Sequence, residues 1–197
     1  MSEIESTWLK KAVKGDVEAF SRLIEAYQDP VYHLCYRMLG EPGEAEDAAQ
    51  ETFLRAFQGL RRYDSQRPFS TWLLSIAAHY CIDQIRRRRL TVLSYDEMPI
   101  LDPPDTAPSP ENSLIISEDQ RRVQVLLERL DARDRAAMVM LYWYEFSYEE
   151  IAGALSMSVS AVKSRLHRAR LELAELWGKR PSLTLERERT CHESPAF

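Results

Sequence analysis

Cysteine is scarce in this chain. Three residues, Cys35, Cys81 and Cys191, are odd in number, widely spaced and form no C-x-x-C. That pattern supports no disulfide framework and fits a reduced, cytosolic compartment. Long apolar runs are absent too. None approaches the ~20 residues that cross a bilayer, so no spanning helix is expected. The first sixteen residues, MSEIESTWLKKAVKGD, lack an apolar core and a small-residue cleavage site, and are not read as a secretory signal. There is no Gly-rich phosphate loop, no G-x-S-x-G and no H-E-x-x-H. The only His/Cys neighbours are His33-Leu34-Cys35, His79-Tyr80-Cys81 and Cys191-His192, and none has zinc-site spacing. Nothing assembles a nucleophile, a base and an oxyanion site. The expectation is a protein that binds rather than catalyses, without metal or cofactor.

What is present is unevenly distributed charge. The net charge of −5 over 197 residues is a poor advertisement for a nucleic-acid binder. Residues 61–90, however, carry 7 Lys and Arg against 2 Asp and Glu, and residues 161–180 carry 6 against 2. Between them, residues 91–120 hold 7 acidic residues and no Lys or Arg. Screening confines each field to ~10 Å, so two basic islands matter more than the total. Hydrophobic residues make up 45% of the chain, enough to bury a core.

The second island belongs to Phe146–Leu176, which reads as two short helices joined by a tight turn. Ser147 and Glu150 have capping-box spacing. Ile151, Ala154 and Leu155 form an inward stripe, and the small pair Ala152-Gly153 would let a second helix approach closely. Ser156-Met157-Ser158 supplies the turn, with Ser158 as N-cap. Val162, Leu166, Ala169 and Leu173 continue the apolar stripe. Ser160, Ala161, Lys163, Ser164 and Arg165 are left to touch base edges, as in a helix-turn-helix. An ordinary helical hairpin with a solvated basic face is the bland alternative.

Upstream, the periodicity is helical throughout. Phe20, Leu23, Ile24 and Tyr27 mark one helix, and Asp29-Pro30 reads as a bend where a new helix could begin. Gly40-Glu41-Pro42-Gly43 is a firm break. Residues 44–60 form a helix with Ala48, Ala49, Thr52, Phe53, Ala56 and Phe57 on one side and Glu46, Asp47, Gln50, Glu51 and Arg55 on the other. That polar face is either plain solvation or a dock for a basic partner. Residues 61–72 read as a loop mixing Arg61, Arg62 and Arg67 with Tyr63, Phe69 and Trp72, a combination on which unpaired bases stack. Phe69 and Trp72 are equally good core anchors. Ser70 is placed to cap the next helix, Thr71 to about Arg88, which ends in four arginines that suit phosphate contact. Residues 91–113 are acidic, rich in proline and non-periodic, hence a linker. Leu114–Leu130, with Val123, Leu126, Leu127 and Leu130 inside, and Ala132–Tyr144, capped by Asp131 with Ala136, Val139, Met140 and Trp143 inside, complete the second domain. The tail beyond Pro181 is polar.

The order of parts resembles the bacterial extracytoplasmic-function (ECF, group IV) sigma factors of the sigma-70 family, over about residues 10–178. AEDAAQETFLRAF (45–57) is similar to conserved region 2.2, RPFSTWLLSIAAHYCIDQIRRRR (67–89) to regions 2.3 and 2.4, and FSYEEIAGALSMSVSAVKSRLHRARLEL (146–173) to region 4.2. The resemblance implies an all-α chain with region 2 at 10–90, a linker at 91–113, region 4 at 114–178 and a tail at 179–197. It implies a cytoplasmic transcription initiation factor that binds core RNA polymerase and promoter DNA and is restrained by an anti-sigma factor, often membrane-bound. Carried over by position, Asp47, Gln50, Glu51, Leu54 and Arg55 would meet the polymerase clamp. Arg61, Arg62, Tyr63, Arg67, Phe69 and Ser70 would surround a base flipped from the −10 element, with His79, Asp83, Arg86 and Arg87 along its DNA. Ser160, Ala161, Lys163, Ser164, Arg165 and Arg168 would read the −35 element.

The chain departs from the family pattern in places. Ser156 stands where Gly is frequent, Ser160-Ala161 where Gly-Thr is frequent, and His79 where Asn is frequent, which leaves base preference open. Two other readings compete: a stand-alone helix-turn-helix regulator whose residues 1–90 sense or dimerise, and a decoy that binds polymerase without initiating.

Overall fold

The computed structural model describes residues 3–95 and 118–178, and these are helical with no strand among them. The N-terminal domain consists of α1 (Glu3–Val13), α2 (Val17–Leu39), α3 (Pro42–Gly59), a 3-10 turn (Leu60–Arg62) and α4 (Phe69–Tyr95). The C-terminal domain consists of α5 (Glu118–Arg129), α6 (Ala132–Tyr144), α7 (Tyr148–Ala154) and α8 (Val159–Gly178). Most of the expected linker and the tail lie outside the described residues.

Helix ends follow local chemistry. Asp16 caps α2 by accepting from the Ala19 amide at 3.0 Å. Gly40 ends α2 with φ +84°, and its amide returns to the Tyr36 carbonyl at 2.8 Å. Glu41 takes the N-cap of α3, and Pro42 sits at its first position, where no amide is needed. The Asp29-Pro30 bend does not occur: α2 runs through Pro30 unbroken. Packing of Val31, Leu34, Cys35 and Met38, all buried, holds the helix together across the missing hydrogen bond. Helix α4 likewise exceeds its expected limits. It starts at Phe69 and continues to Tyr95, so the chain stays helical past the arginines and into the expected linker.

Helices α2, α3 and α4 surround one core, in which Leu23, Leu34, Met38, Ala48, Ala56, Leu73, Leu74, Ala77 and Ala78 are buried. Small residues on α3 let it lie close to α2 and α4. In the C-terminal domain α8 packs on α6 and α7 through Val162, Leu166 and Ala169, each fully buried. Ala136, Val139 and Met140 are buried as expected, but Trp143 is 39% exposed, because it lines an open cleft with Arg37 over its ring. The two domains touch: α5 and α6 lie against α2, and α6 and α7 against α4.

Candidate nucleic-acid and polymerase interface

The helix-turn-helix closes as its residue types require. Ser147 and Glu150 form the reciprocal capping box: the Ser147 amide donates to Glu150 Oε2 at 2.9 Å and the Glu150 amide to Ser147 Oγ at 3.1 Å. Ser158 caps α8 by accepting from the Ala161 amide at 3.2 Å. Ser156 adopts φ +53°, a left-handed conformation that a glycine would take without steric cost. Gly153 plays no part in close approach, since a Cβ there would meet nothing within 4 Å; of the pair only Ala152 is buried.

On α8 the side chains of Ser160, Lys163, Ser164 and Arg168 are exposed, Ala161 partly so. They lie within the first ten residues of the helix, on the side away from Val162 and Leu166. The Lys163 ammonium rests 5.8 Å from the Tyr148 ring centroid. Arg165 behaves differently. Its guanidinium is 2.6 Å from Asp134 Oδ1 and 3.5 Å from Asp131 Oδ1, so it braces α8 against the start of α6. Asp131 also caps α6, accepting from the Arg133 amide at 3.0 Å.

The loop after α3 is a built structure rather than a free strand of chain. Asp64 accepts from the Gln66 amide at 2.9 Å and its carbonyl from the Arg67 amide at 3.0 Å, while the Tyr63 hydroxyl donates to the Arg67 carbonyl. Tyr63 packs on Trp72 at 5.1 Å and on Phe69 at 5.7 Å between ring centroids, and Tyr27 meets Phe69 at 5.4 Å. Phe69 is 1% exposed and anchors this cluster; it offers no face to a base in this conformation. Tyr63, Ser70 and Trp72 are half-buried at the rim, and Arg61, Arg62 and Arg67 project around them. Ser70 lies inside α4 rather than capping it. Burial first, and then the neighbouring Asp64 charge, push the Tyr63 hydroxyl above its ordinary pKa, so it stays a neutral donor.

Along α4, His79, Asp83, Arg86 and Arg87 are exposed on one side. His79 Nδ1 lies 2.8 Å from the Ser75 carbonyl, which fixes the ring against the helix. Arg88 pairs with Glu44 of α3. On α3, Asp47, Gln50 and Arg55 are exposed, Glu51 partly so, and Leu54 is 52% exposed in the middle of this face. Arg55 is held by Glu51 at 2.7 Å and lies over the Tyr80 ring at 4.8 Å. Leu54 is thus an exposed apolar side chain among acids and amides on this face. Among the described residues no three His, Cys, Asp or Glu side chains gather as a metal would need, and no helix is long and apolar enough to cross a membrane.

Two buried charges on α6 escaped the sequence reading. Arg135 and Asp134 look like solvent-facing charges near a helix start, yet they are only 4% and 8% exposed, Arg135 against the Met38 carbonyl of the other domain and Asp134 against Arg165 of its own. Periodicity cannot distinguish a charge facing water from one facing a second domain.

A chain with an aromatic and arginine rim, an arginine-lined helix and a helix-turn-helix, in that order, has the build of a two-domain promoter-reading protein. The family descriptions match it in the same order: sigma-70 region 2 over residues 23–91 and sigma-70 region 4 over residues 120–173. The ECF RNA polymerase sigma factor SigW of Bacillus subtilis (strain 168) is 36% identical over 176 residues, covering 82% of this chain and 90% of its own length. This chain belongs to the ECF RNA polymerase sigma factors of the sigma-70 family. Among solved structures, CnrH in complex with the cytosolic domain of CnrY superposes with a TM-score of 0.66 at 25% identity, over 89% of this chain and 98% of that one. The sigma factor RpoE in complex with the anti-sigma factor NepR from Bartonella quintana has the same fold, with a TM-score of 0.63 at 24% identity over 81% and 97%. Neither the stand-alone regulator nor the decoy finds support in these likenesses.

Proposed function

We propose that this protein acts in the cytoplasm as an alternative sigma factor, binding core RNA polymerase and directing it to specific promoters. Its action is binding, not catalysis, and needs no cofactor. We assign region 2 to residues 10–90, the linker to 91–113, region 4 to 114–178 and the tail to 179–197. The observation that carries the reading is the presence of three separate polar faces in one sigma-family chain. The α3 face of Asp47, Gln50, Glu51, Leu54 and Arg55 takes the polymerase. The rim of Arg61, Arg62, Tyr63, Arg67 and Ser70 receives an unstacked base of the −10 element, with Phe69 supporting it from below. His79, Asp83, Arg86 and Arg87 follow the −10 DNA, and Ser160, Ala161, Lys163, Ser164 and Arg168 read the −35 element. Arg165 holds the recognition helix in place and is available to DNA once Asp134 releases it.

Extruding a base costs a few kcal/mol, which stacking at about 1–3 kcal/mol per base and pocket hydrogen bonds offset. The solved complexes of CnrH with CnrY and of RpoE with NepR support an anti-sigma factor as a further partner here. The test is a core-polymerase titration. Asp47→Arg, which reverses a charge on the α3 face, should weaken core affinity at least tenfold and leave helicity unchanged. Arg168→Ala should leave core affinity unchanged and reduce −35-dependent promoter binding. Equal core affinity for Asp47→Arg and wild type would refute the docking assignment.

A further inference from the structure

Helix α4 carries a row of side chains whose hydrogen-bonding character is fixed by the helix itself. His79 is exposed, and its Nδ1 lies 2.8 Å from the Ser75 carbonyl. A carbonyl oxygen carries no proton, so this bond exists only with Nδ1 as donor. The Ser75 hydroxyl donates to the Trp72 carbonyl at 2.7 Å and so offers the ring no competing donor. In a neutral imidazole the second nitrogen then holds a lone pair. The two ring nitrogens face away from one another, so Nε2 presents that lone pair outward.

Asp83 follows four residues after His79 and Arg86 three after that, the spacing of one helix face. Both are exposed, and neither has a hydrogen bond or ion pair among the described residues. An ionised carboxylate only accepts. The row therefore presents two acceptors, His79 Nε2 and the Asp83 carboxylate, and then a cation. A lone pair and a carboxylate repel phosphate oxygens, which are acceptors as well. Phosphate contact along this row falls to Arg86. What the two acceptors fit is an amino group on a base edge. In the major groove that group is adenine N6 or cytosine N4, whereas guanine presents O6 and N7 and thymine O4, all of them acceptors.

Spacing sets where that edge lies. His79 is nine residues beyond Ser70 of the rim, about 13 Å along α4 at about 1.5 Å per residue. At about 3.4 Å per base step, that is roughly four steps from the extruded base. A base still paired there shows only its groove edge, and the major groove admits an α-helix. His79 and Asp83 are themselves about 6 Å apart along the helix axis, so each meets a different base.

We infer that His79 and Asp83 are specificity-determining residues that require amino bases, adenine or cytosine, at two positions of the −10 element, His79 acting through Nε2 as a fixed acceptor. This choice of bases rests on the −10 reading proposed above and names which sequences satisfy it. The Ser75 carbonyl is the positioning group. By holding the Nδ1 proton it bars the tautomer that would donate from Nε2 and take guanine or thymine instead.

The tautomer is read in the free full-length chain by NMR of the imidazole nitrogens. The chain has four histidines, and the His79 signals are those lost in His79→Ala. At about pH 8, above the ordinary imidazole range, Nδ1 should carry the proton and Nε2 should not. A ring protonated mainly at Nε2 would overturn the inference. Base preference is read with polymerase holoenzyme selecting from duplex promoters randomised across the −10 element. Wild type should enrich adenine or cytosine over guanine and thymine at two positions. His79→Ala should flatten one of them and Asp83→Ala the other, with helical circular dichroism retained. His79→Lys, which only donates, should invert its position toward guanine or thymine. Replacing the preferred base at the His79 position by its analogue without the amino group should cost wild type about fivefold in affinity, the worth of one hydrogen bond, and cost His79→Ala nothing. An equal loss across all sequences in His79→Ala marks a phosphate contact and overturns the inference, as does a preference that His79→Lys leaves in place. No sequence enriched by the wild-type holoenzyme refutes the −10 reading itself, and the choice of bases with it.

Discussion

Arg165 lies on the helix that the sequence assigns to DNA, yet its guanidinium spends its strongest contact on Asp134, 2.6 Å away. The pair is mostly buried, so its strength lies between an exposed ion pair at about 0.5 kcal/mol and a buried one at several. Arg165→Ala should destabilise the C-terminal domain by roughly 1–3 kcal/mol, and a double-mutant cycle with Asp134→Asn should show coupling of about 1 kcal/mol in chemical denaturation. Zero coupling would mean that Arg165 serves DNA alone. This bracing contact was not legible in the sequence, because Arg165 and Asp134 are 31 positions apart and both read as surface charges. Phe69 taught the converse. Its aromatic type suits base stacking and core packing alike, and only its contacts with Tyr27, Tyr63 and Trp72 decide for the core.

At the scale of elements, caps and stripes carried the most information. The Ser147–Glu150 box and the Val162, Leu166, Ala169 stripe follow from hydrogen-bonding capacity and helical period, which act within a few residues. Ser147→Ala should therefore cost about 1 kcal/mol. Ser156→Gly should raise stability by about 0.5–1 kcal/mol, since φ +53° burdens a Cβ but not glycine. Thermal melts of the full-length variants check both, and a lower melting temperature for Ser156→Gly would contradict the turn assignment. Limits set by packing were harder to read. Pro30 invites a break that the core around Val31, Leu34 and Met38 suppresses, and α4 persists to Tyr95 because nothing in residues 90–95 stops a helix.

Across the whole molecule, the two-domain order was legible because charge changes sign along the chain and the motifs keep their sequence. The contact between the domains was not, since Arg135 meets a backbone carbonyl that carries no side-chain signature. Binding that rests on arginine and lysine should weaken steeply with salt. Promoter affinity of the polymerase complex should fall by about a thousandfold between 50 and 200 mM salt if roughly six phosphates are neutralised. The most direct test of the central claim is promoter-directed transcription in vitro, with purified core polymerase, this chain and a genomic promoter library. The account predicts discrete transcripts that require the chain, share −10 and −35 elements upstream of their start sites, and are lost with Asp47→Arg. Core polymerase that initiates no differently with the chain than without it would contradict the account.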